Sequence, residues 1–418
     1  LLVQRAPTGP ALVVAPTSLV SNWSDELTRF APELRPLVYR GTQRERALKE
    51  LGPQAVLITS YETLLRDAAL FEGLTFGTQI IDEAQTIRNA RTRRAHAVAG
   101  IRASFRVALT GTPIENRLGD LWSLFALVAP GLLGSWARFR ALFAVPIERY
   151  EDRARAERLR RMVEPFTLRR TKDQVARELP ARTEVIHNVE LSAPEQQLYT
   201  AALTQARQAL GKSRKKNDQP YALHILAELT RLRQLACHPR LVLADSRIES
   251  SKLQALLRLL EDILPRGHRA LIFSQFTQHL GLVREALESR KIRLLYLDGS
   301  TPAGQRAELI EQFQAGAAEV FLISLKAGGT GLNLTAADYV IHMDPWWNPA
   351  AEDQASDRAH RIGQVKPVTI VKLVAQNTIE ERVLGLHEHK RKLAREMLSG
   401  EGGNVTLDEE ALEALLDD

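Results

Sequence analysis

The feature that most constrains this chain is a recurrence of short, continuous apolar runs, many of them closed by a polar or glycine-rich signature. In the first half the runs are Ala11–Ala15, Ala55–Ile58, Gln79–Ile81 and Arg106–Leu109. In the second half they are Ala270–Phe273, Leu294–Leu297, Val320–Ile323, Tyr339–Ile341 and Val368–Val374. Such runs, separated by helical or loop-forming stretches, read as buried parallel strands in α/β units. In sheets of that kind ligands collect outside the carboxyl ends of the strands. The polar signatures fall there: Pro16-Thr17-Ser18, Ser60-Tyr61-Glu62, Asp82-Glu83-Ala84-Gln85, Thr110-Gly111-Thr112-Pro113, Ser274-Gln275-Phe276 and Asp298-Gly299-Ser300. Six such ends in two sheets imply a continuous functional face.

Between the two groups the texture changes. From about residue 118 to 260 the pattern is mostly helical, broken by one strand-like stretch, Thr183–Leu191, and by Gly211–Asn217, which reads as an exposed basic loop. Helical periodicity returns over Thr378–Leu398, and an acidic end, Leu407–Asp418, follows. The expected organisation is a first lobe over 1–190 with a helical protrusion near 118–180. A second lobe over 191–390 carries a protrusion near 194–245, and 391–418 forms a terminal helix and acidic tail.

Composition narrows the function. The 418 residues are 44% hydrophobic and 25% charged, ordinary for a globular protein of two or three domains. The longest apolar runs are far too short to span a bilayer, so no membrane partner is expected. One cysteine, Cys237, allows no internal disulfide and no Cys-rich zinc site, and a reducing compartment follows. The formal net charge of +6 fits a polyanionic partner without specifying one. The chain opens on Leu1, in the middle of a pattern, and reads as a fragment.

Chemistry is suggested at three places. Asp82-Glu83 follows a strand, where one carboxylate can hold Mg²⁺ and the next can polarise an attacking water. The bland alternative is a solvated acidic turn. Arg358 and Arg361 lie three apart in Asp357-Arg358-Ala359-His360-Arg361, so on a helix both guanidiniums would share a side and could stabilise charge on a transferring phosphate. The competing reading is a salt-bridged surface helix, and His360 reads as a structural histidine. Lys326–Leu334 is a Gly-rich loop whose amides can approach a phosphate of nucleotide or of DNA. Trp346-Trp347 suggests either a contact surface or a pair of partly buried rings.

Taken together, Val13–Trp23, Asp82–Gln85, Leu109–Leu121, Ile272–Phe276, Ile323–Asn333, Asp344–Pro349 and Asp357–Gln364 resemble the successive motifs of the Swi/Snf ATPases of helicase superfamily two. Pro165–Lys172 and Gln234–Pro239 resemble signatures peculiar to that family. The resemblance implies two RecA-like lobes with parallel sheets and helical protrusions, ATP and Mg²⁺ as cofactors, and an ATP site where the lobes meet. It implies duplex DNA across both lobes. Asp82 and Glu83 would serve Mg²⁺ and water, and Arg358 and Arg361 would be arginine fingers. Gln85, Thr110, Gly111 and Thr112 would couple the nucleotide to DNA, with Gly331 and Gln85 also on the nucleotide side. DNA contacts map to Pro16, Thr17, Ser18, Asn22, Ser60, Tyr61, Ser274, Gln275, Lys326, Thr330, Trp346 and Trp347. The expected activity is ATP-driven translocation on double-stranded DNA by a monomer, remodelling complexes with RNA polymerase or other nucleoprotein. The place of action would be the cytoplasm and nucleoid if the source is bacterial, the nucleus if eukaryotic.

One departure stands out. The family opens with a glycine-rich phosphate loop ending in Gly-Lys-Thr or Gly-Lys-Ser, ahead of the run at Ala11–Ala15, and this chain starts after that point. Gly211-Lys212-Ser213 does not replace it: position 206 is Ala where a phosphate loop needs Gly, and no strand precedes it. These 418 residues alone are therefore expected to be inactive on ATP. A strand-separating helicase and a catalytically dead DNA-binding regulator are the alternatives. Nothing resembling a strand-splitting pin is visible, and both Asp82-Glu83 and Arg358/Arg361 are intact.

Overall fold

In a computed structural model the apolar runs form thirteen strands among the described residues, which are 1–386 except 112–117, 151, 171, 177, 217–220 and 329–331. They divide between two units, Leu1–Phe166 and a second beginning at Thr167.

In the first unit the strands are β1 (Ala11–Ala15), β2 (Arg35–Val38), β3 (Ala55–Ser60), β4 (Thr75–Phe76), β5 (Thr78–Ile81), β6 (Arg102–Ala103) and β7 (Arg106–Ala108). Five of them make one sheet in the order β2-β3-β1-β5-β7, while β4 and β6 pair separately. Every pairing in the sheet is parallel, with Ala15 opposite Ser60 and Val14 opposite Ile81. The polar signatures after β1, β3, β5 and β7 are thereby brought to one edge. β1 is buried throughout because both faces are covered: Leu12 and Val14 pack with Leu57 and Ile81, and Val13 and Ala15 with Val56 and Ile58. A helical extension has its own core around Leu118, Phe125, Phe139, Phe143 and Ile147.

The second unit contains β8 (Arg182–Val189), β9 (Ala270–Ser274), β10 (Leu294–Leu297), β11 (Val320–Ser324), β12 (Tyr339–His342) and β13 (Val368–Ala375), ordered β10-β11-β9-β12-β13-β8 and again wholly parallel. Ile272 and Leu271 face opposite cores. A helical pair, Ala193–Lys216 and Tyr221–Cys237, packs on Ala375, Ile379 and Val383.

Two expectations change. The first lobe does not run to 190: β8 pairs with β13 over eight residues, so this stretch closes the second sheet. Residues 211–216 are not a loop but continue the helix Ala193–Lys216. A Gly-Lys-Ser inside a helix has no strand-to-helix turn to cradle a phosphate. Of the segment Thr378–Leu398, residues 379–386 are helical, as its periodicity implies, and everything from 387 onward, including 391–418, lies outside the described residues. Among the described residues no helix is long and apolar enough to cross a membrane.

Candidate functional site

At the strand-end edge of the first unit, hydrogen bonds gather on Asp82 and Glu83. The Asp82 amide donates to the Val14 carbonyl at 2.8 Å, which fixes its position just past β5. The Trp23 indole Nε1 donates to Asp82 Oδ2 at 2.8 Å, and the Glu83 amide donates to Asp82 Oδ1 at 2.9 Å. The Tyr61 hydroxyl donates to the Asp82 carbonyl at 2.5 Å. Burial, with the charges of Asp82 and Glu83 nearby, pushes the Tyr61 phenol well above its ordinary pKa, so it stays a donor. Glu83 sits at φ 49°, the left-handed region that a side chain rarely adopts and that costs on the order of 1–3 kcal/mol. Gln85 Nε2 donates to Glu83 Oε2 at 2.6 Å, and Thr110 Oγ1 donates to Gln85 Oε1 at 2.8 Å. A continuous line Thr110–Gln85–Glu83 therefore links the end of β7 to the carboxylate after β5.

The other expected residues of this unit fall into two groups. Thr17, Asn22 and Gly111 are exposed, and Pro16 is half-buried. Ser18 is half-buried, and its Oγ is enclosed without a hydrogen-bond partner among the described residues. The side chains of Ser60 and Tyr61 turn inward. Ser60 Oγ caps the following helix by accepting from the Thr63 amide at 3.2 Å, and Tyr61 is held on Asp82. Thr112 lies outside the described residues.

In the second unit the tryptophan loop is built on an arginine. Arg233, from the helix Tyr221–Cys237, is 2% exposed. Its guanidinium lies 4.8 Å from the Trp347 ring, 5.5 Å from Trp346 and 5.7 Å from Phe276. It donates to Gln275 Oε1 at 3.0 Å and to the Pro345 carbonyl at 2.5 Å. Cation–π contacts in a desolvated setting are worth about 2 kcal/mol or more. Both tryptophans are half-buried, so the loop is at once core and surface. Ser274 is buried, and its hydroxyl donates to Asp344 Oδ1. Burial lifts the Asp344 carboxyl to about 6, against the opposing pull of Arg233. Lys326 is exposed in a single helical turn, Leu325–Gly328, where a loop was expected. Thr330 and Gly331 lie outside the described residues.

Arg358 and Arg361 are not on a helix. The helix Pro349–Ser356 ends before them, and both lie in the turns that follow. Arg358 is 8% exposed, whereas Arg361 is half-exposed and has no carboxylate partner among the described residues. The turn is held by Gln364, whose Nε2 donates to the carbonyls of Thr335, Ala337 and Ala359. His360 is structural, its Nε2 2.9 Å from the Pro180 carbonyl oxygen.

Comparison with known proteins places these motifs. The profile of the SNF2-related domain matches residues 1–241, and that of the helicase conserved C-terminal domain matches residues 251–363. The chain belongs to the SNF2-related family. A Bacillus subtilis protein named as an ATP-dependent helicase/translocase is 38% identical over 421 residues, covering 97% of this chain and 45% of that protein. A human SWI/SNF-related regulator of chromatin, subfamily A member 1, is 35% identical over 92% of this chain and 38% of its own length. The SWI2/SNF2 ATPase core of Sulfolobus solfataricus in complex with double-stranded DNA is 32% identical, covers 99% of this chain and 87% of that one, and has a TM-score of 0.46. The SNF2-related chain thus spans less than half the length of the curated relatives it matches.

Each unit is a parallel, helix-flanked sheet of the RecA-like kind. Asp82 suits Mg²⁺, a hard cation that takes oxygen donors: each carboxylate oxygen accepts one hydrogen bond and keeps a lone pair, and the group is only half-buried. Sequence reasoning missed Trp23 and Arg233. Trp23 lies inside a recognised motif, so its indole could have been suspected. Arg233 gives no local signal, because the rings it meets lie 43 to 114 positions further along the chain.

Proposed function

We propose that this chain is the motor core of an ATP-dependent, double-stranded DNA translocase that remodels protein–DNA complexes. The hydrogen-bonded line Thr110–Gln85–Glu83 carries the reading. It ties the residue placed to orient a water to the end of a neighbouring strand, where exposed Thr17 and Gly111 share the edge. Asp82 holds Mg²⁺, which when bound neutralises charge on the phosphates. Glu83 orients and polarises the attacking water, with Gln85 fixing its rotamer. Arg361 meets the charge that develops on the transferring phosphoryl group, and Arg358, more deeply set, orients the same turn. Thr17, Asn22, Gln275, Lys326 and the half-buried faces of Trp346 and Trp347 form the DNA side. Its place of action is wherever its source keeps DNA, nucleoid or nucleus.

Triplex displacement tests the reading. In the full-length protein ATP should drive a third strand off a duplex and leave the duplex paired. Arg361→Ala should lower DNA-stimulated turnover by about 10³–10⁵-fold, the worth of an arginine finger, and leave DNA affinity unchanged. The 418 residues by themselves hold Gly-Lys-Ser only within a helix and should give low turnover. Release of a strand from a forked duplex would establish a helicase instead.

A further inference from the structure

We propose that the second unit contains a buried transition-metal site, of the kind that takes Zn²⁺, formed by Cys237 Sγ, a ring nitrogen of His279 and a carboxylate oxygen of Asp344. The three residues come from three elements: the last position of the helix Tyr221–Cys237, the third position of the helix Thr277–Ser289, and the loop after β12. Their donor atoms lie within 4.8 Å of one another, and all three residues are buried. A tetrahedral centre with bonds of about 2.0–2.3 Å spaces its donors by roughly 3.5 Å, so closure takes movements of about an ångström.

His279 is the observation that calls for a ligand. It is fully buried, and neither ring nitrogen has a hydrogen-bond partner among the described residues. Four other histidines of this unit each engage a ring nitrogen: His238 with the Arg240 amide, His268 with Asp338, His342 with Ser356, and His360 with Pro180. An orphaned buried polar group costs about 1–3 kcal/mol, and a leucine would fill the same space without that loss. A metal bond to one nitrogen removes part of the penalty.

The donor set and the charges agree. One thiolate with one imidazole and one carboxylate suits Zn²⁺ or Co²⁺ and is wrong for Mg²⁺ or Ca²⁺. Zn²⁺, one thiolate and one carboxylate sum to zero. The adjacent Lys252–Glu380 pair cancels itself, and Arg233 is already faced by three aromatic rings. Outer contacts hold the carboxylate in place, from the Ser274 hydroxyl and from Arg233 at 3.7 Å. Glu380, whose Oε1 lies 3.8 Å from Cys237 Sγ, borders the fourth position. The ion would clamp the helical extension to the sheet beneath Gln275 and the tryptophan loop.

The test is metal analysis of the full-length protein, purified without chelators or a metal-binding tag. About one zinc per chain is expected, falling at least fivefold in Cys237→Ser, which keeps the size of the side chain, and in His279→Leu. Cobalt-loaded protein should show thiolate-to-cobalt charge-transfer absorption that Cys237→Ser lacks. Wild-type protein with less than a tenth of an equivalent of zinc, and no gain in Tm when refolded with zinc, overturns the proposal. So does Cys237→Ser that retains zinc as wild type does.

Discussion

In the first unit Asp67 meets Arg44 near the rim of the strand-end edge; in the second Glu380 meets Lys252 in the centre of the core. Arg44 donates to both oxygens of Asp67, through Nε at 2.5 Å and Nη2 at 2.9 Å, and its side chain is 20% exposed. Lys252 and Glu380 are both 0% exposed, with Lys252 also donating to the Met343 carbonyl and Glu380 accepting from the Ala375 amide. Water can replace the lost partner at the rim but not in the core. The same pair chemistry is therefore an adjustable fastening in one unit and an obligatory one in the other.

The largest effect should follow Lys252→Met. Removing one member leaves an uncompensated buried carboxylate, which typically costs about 3–5 kcal/mol. Urea unfolding should show that loss, and hydrogen exchange should locate it in β9 and β12. Lys252→Met combined with Glu380→Gln removes the charge yet keeps an acceptor for Ala375, and should recover more than half. A single variant as stable as wild type would abolish the contrast between the units.

Arg44→Met should cost less than half as much, and its cost should depend on pH. The bidentate hydrogen bond from Arg44 is the main reason the Asp67 carboxyl is held below its usual range, against the opposing effect of burial. A carboxylate depressed in the folded state adds stability above its unfolded pKa of about 3.9 and loses it as pH falls through the folded value. Wild type and Arg44→Met should therefore differ at pH 7, begin to approach each other at about pH 4, and converge once the pH has fallen through the depressed folded value. A difference that stays constant across the whole acid range would mean that Arg44 acts by packing alone.

Much of this was legible in the sequence, for physical reasons. Fully buried parallel strands need continuous apolar runs, so β1, β3, β9, β11 and β13 announce themselves, and polar residues at their ends mark the functional edge. β8 was placed in the wrong lobe because sheet membership depends on a partner, β13, nearly two hundred residues away. The turn holding Arg358 and Arg361 looked helical because spacing by three is consistent with a helix yet does not require one. Which hydroxyls face solvent was not legible at all. Ser60 and Ser274 follow or end strands as contact residues do, but their outcome is decided by a neighbour, the Thr63 amide in one case and Asp344 in the other.

That last distinction gives the smallest and sharpest test. Ser60 caps the helix Tyr61–Arg66 and shares its hydroxyl with Thr63 at 2.9 Å. Ser60→Ala should cost about 1 kcal/mol, the usual worth of an N-cap, since the Thr63 amide loses its acceptor. Because the hydroxyl points inward, duplex DNA affinity should hardly change. Lys326 is the converse: it is exposed, and in the DNA face proposed above it meets a phosphate. Lys326→Ala should leave stability within about 0.5 kcal/mol. It should weaken DNA binding equally on all sequences and reduce the slope of log K against log salt by about one. Salt titrations of both variants, beside their melting curves, separate the roles. If Ser60→Ala, at temperatures where it stays folded, weakens DNA binding, the serine reaches DNA after all, and if Lys326→Ala leaves the salt slope unchanged, the second unit meets DNA elsewhere.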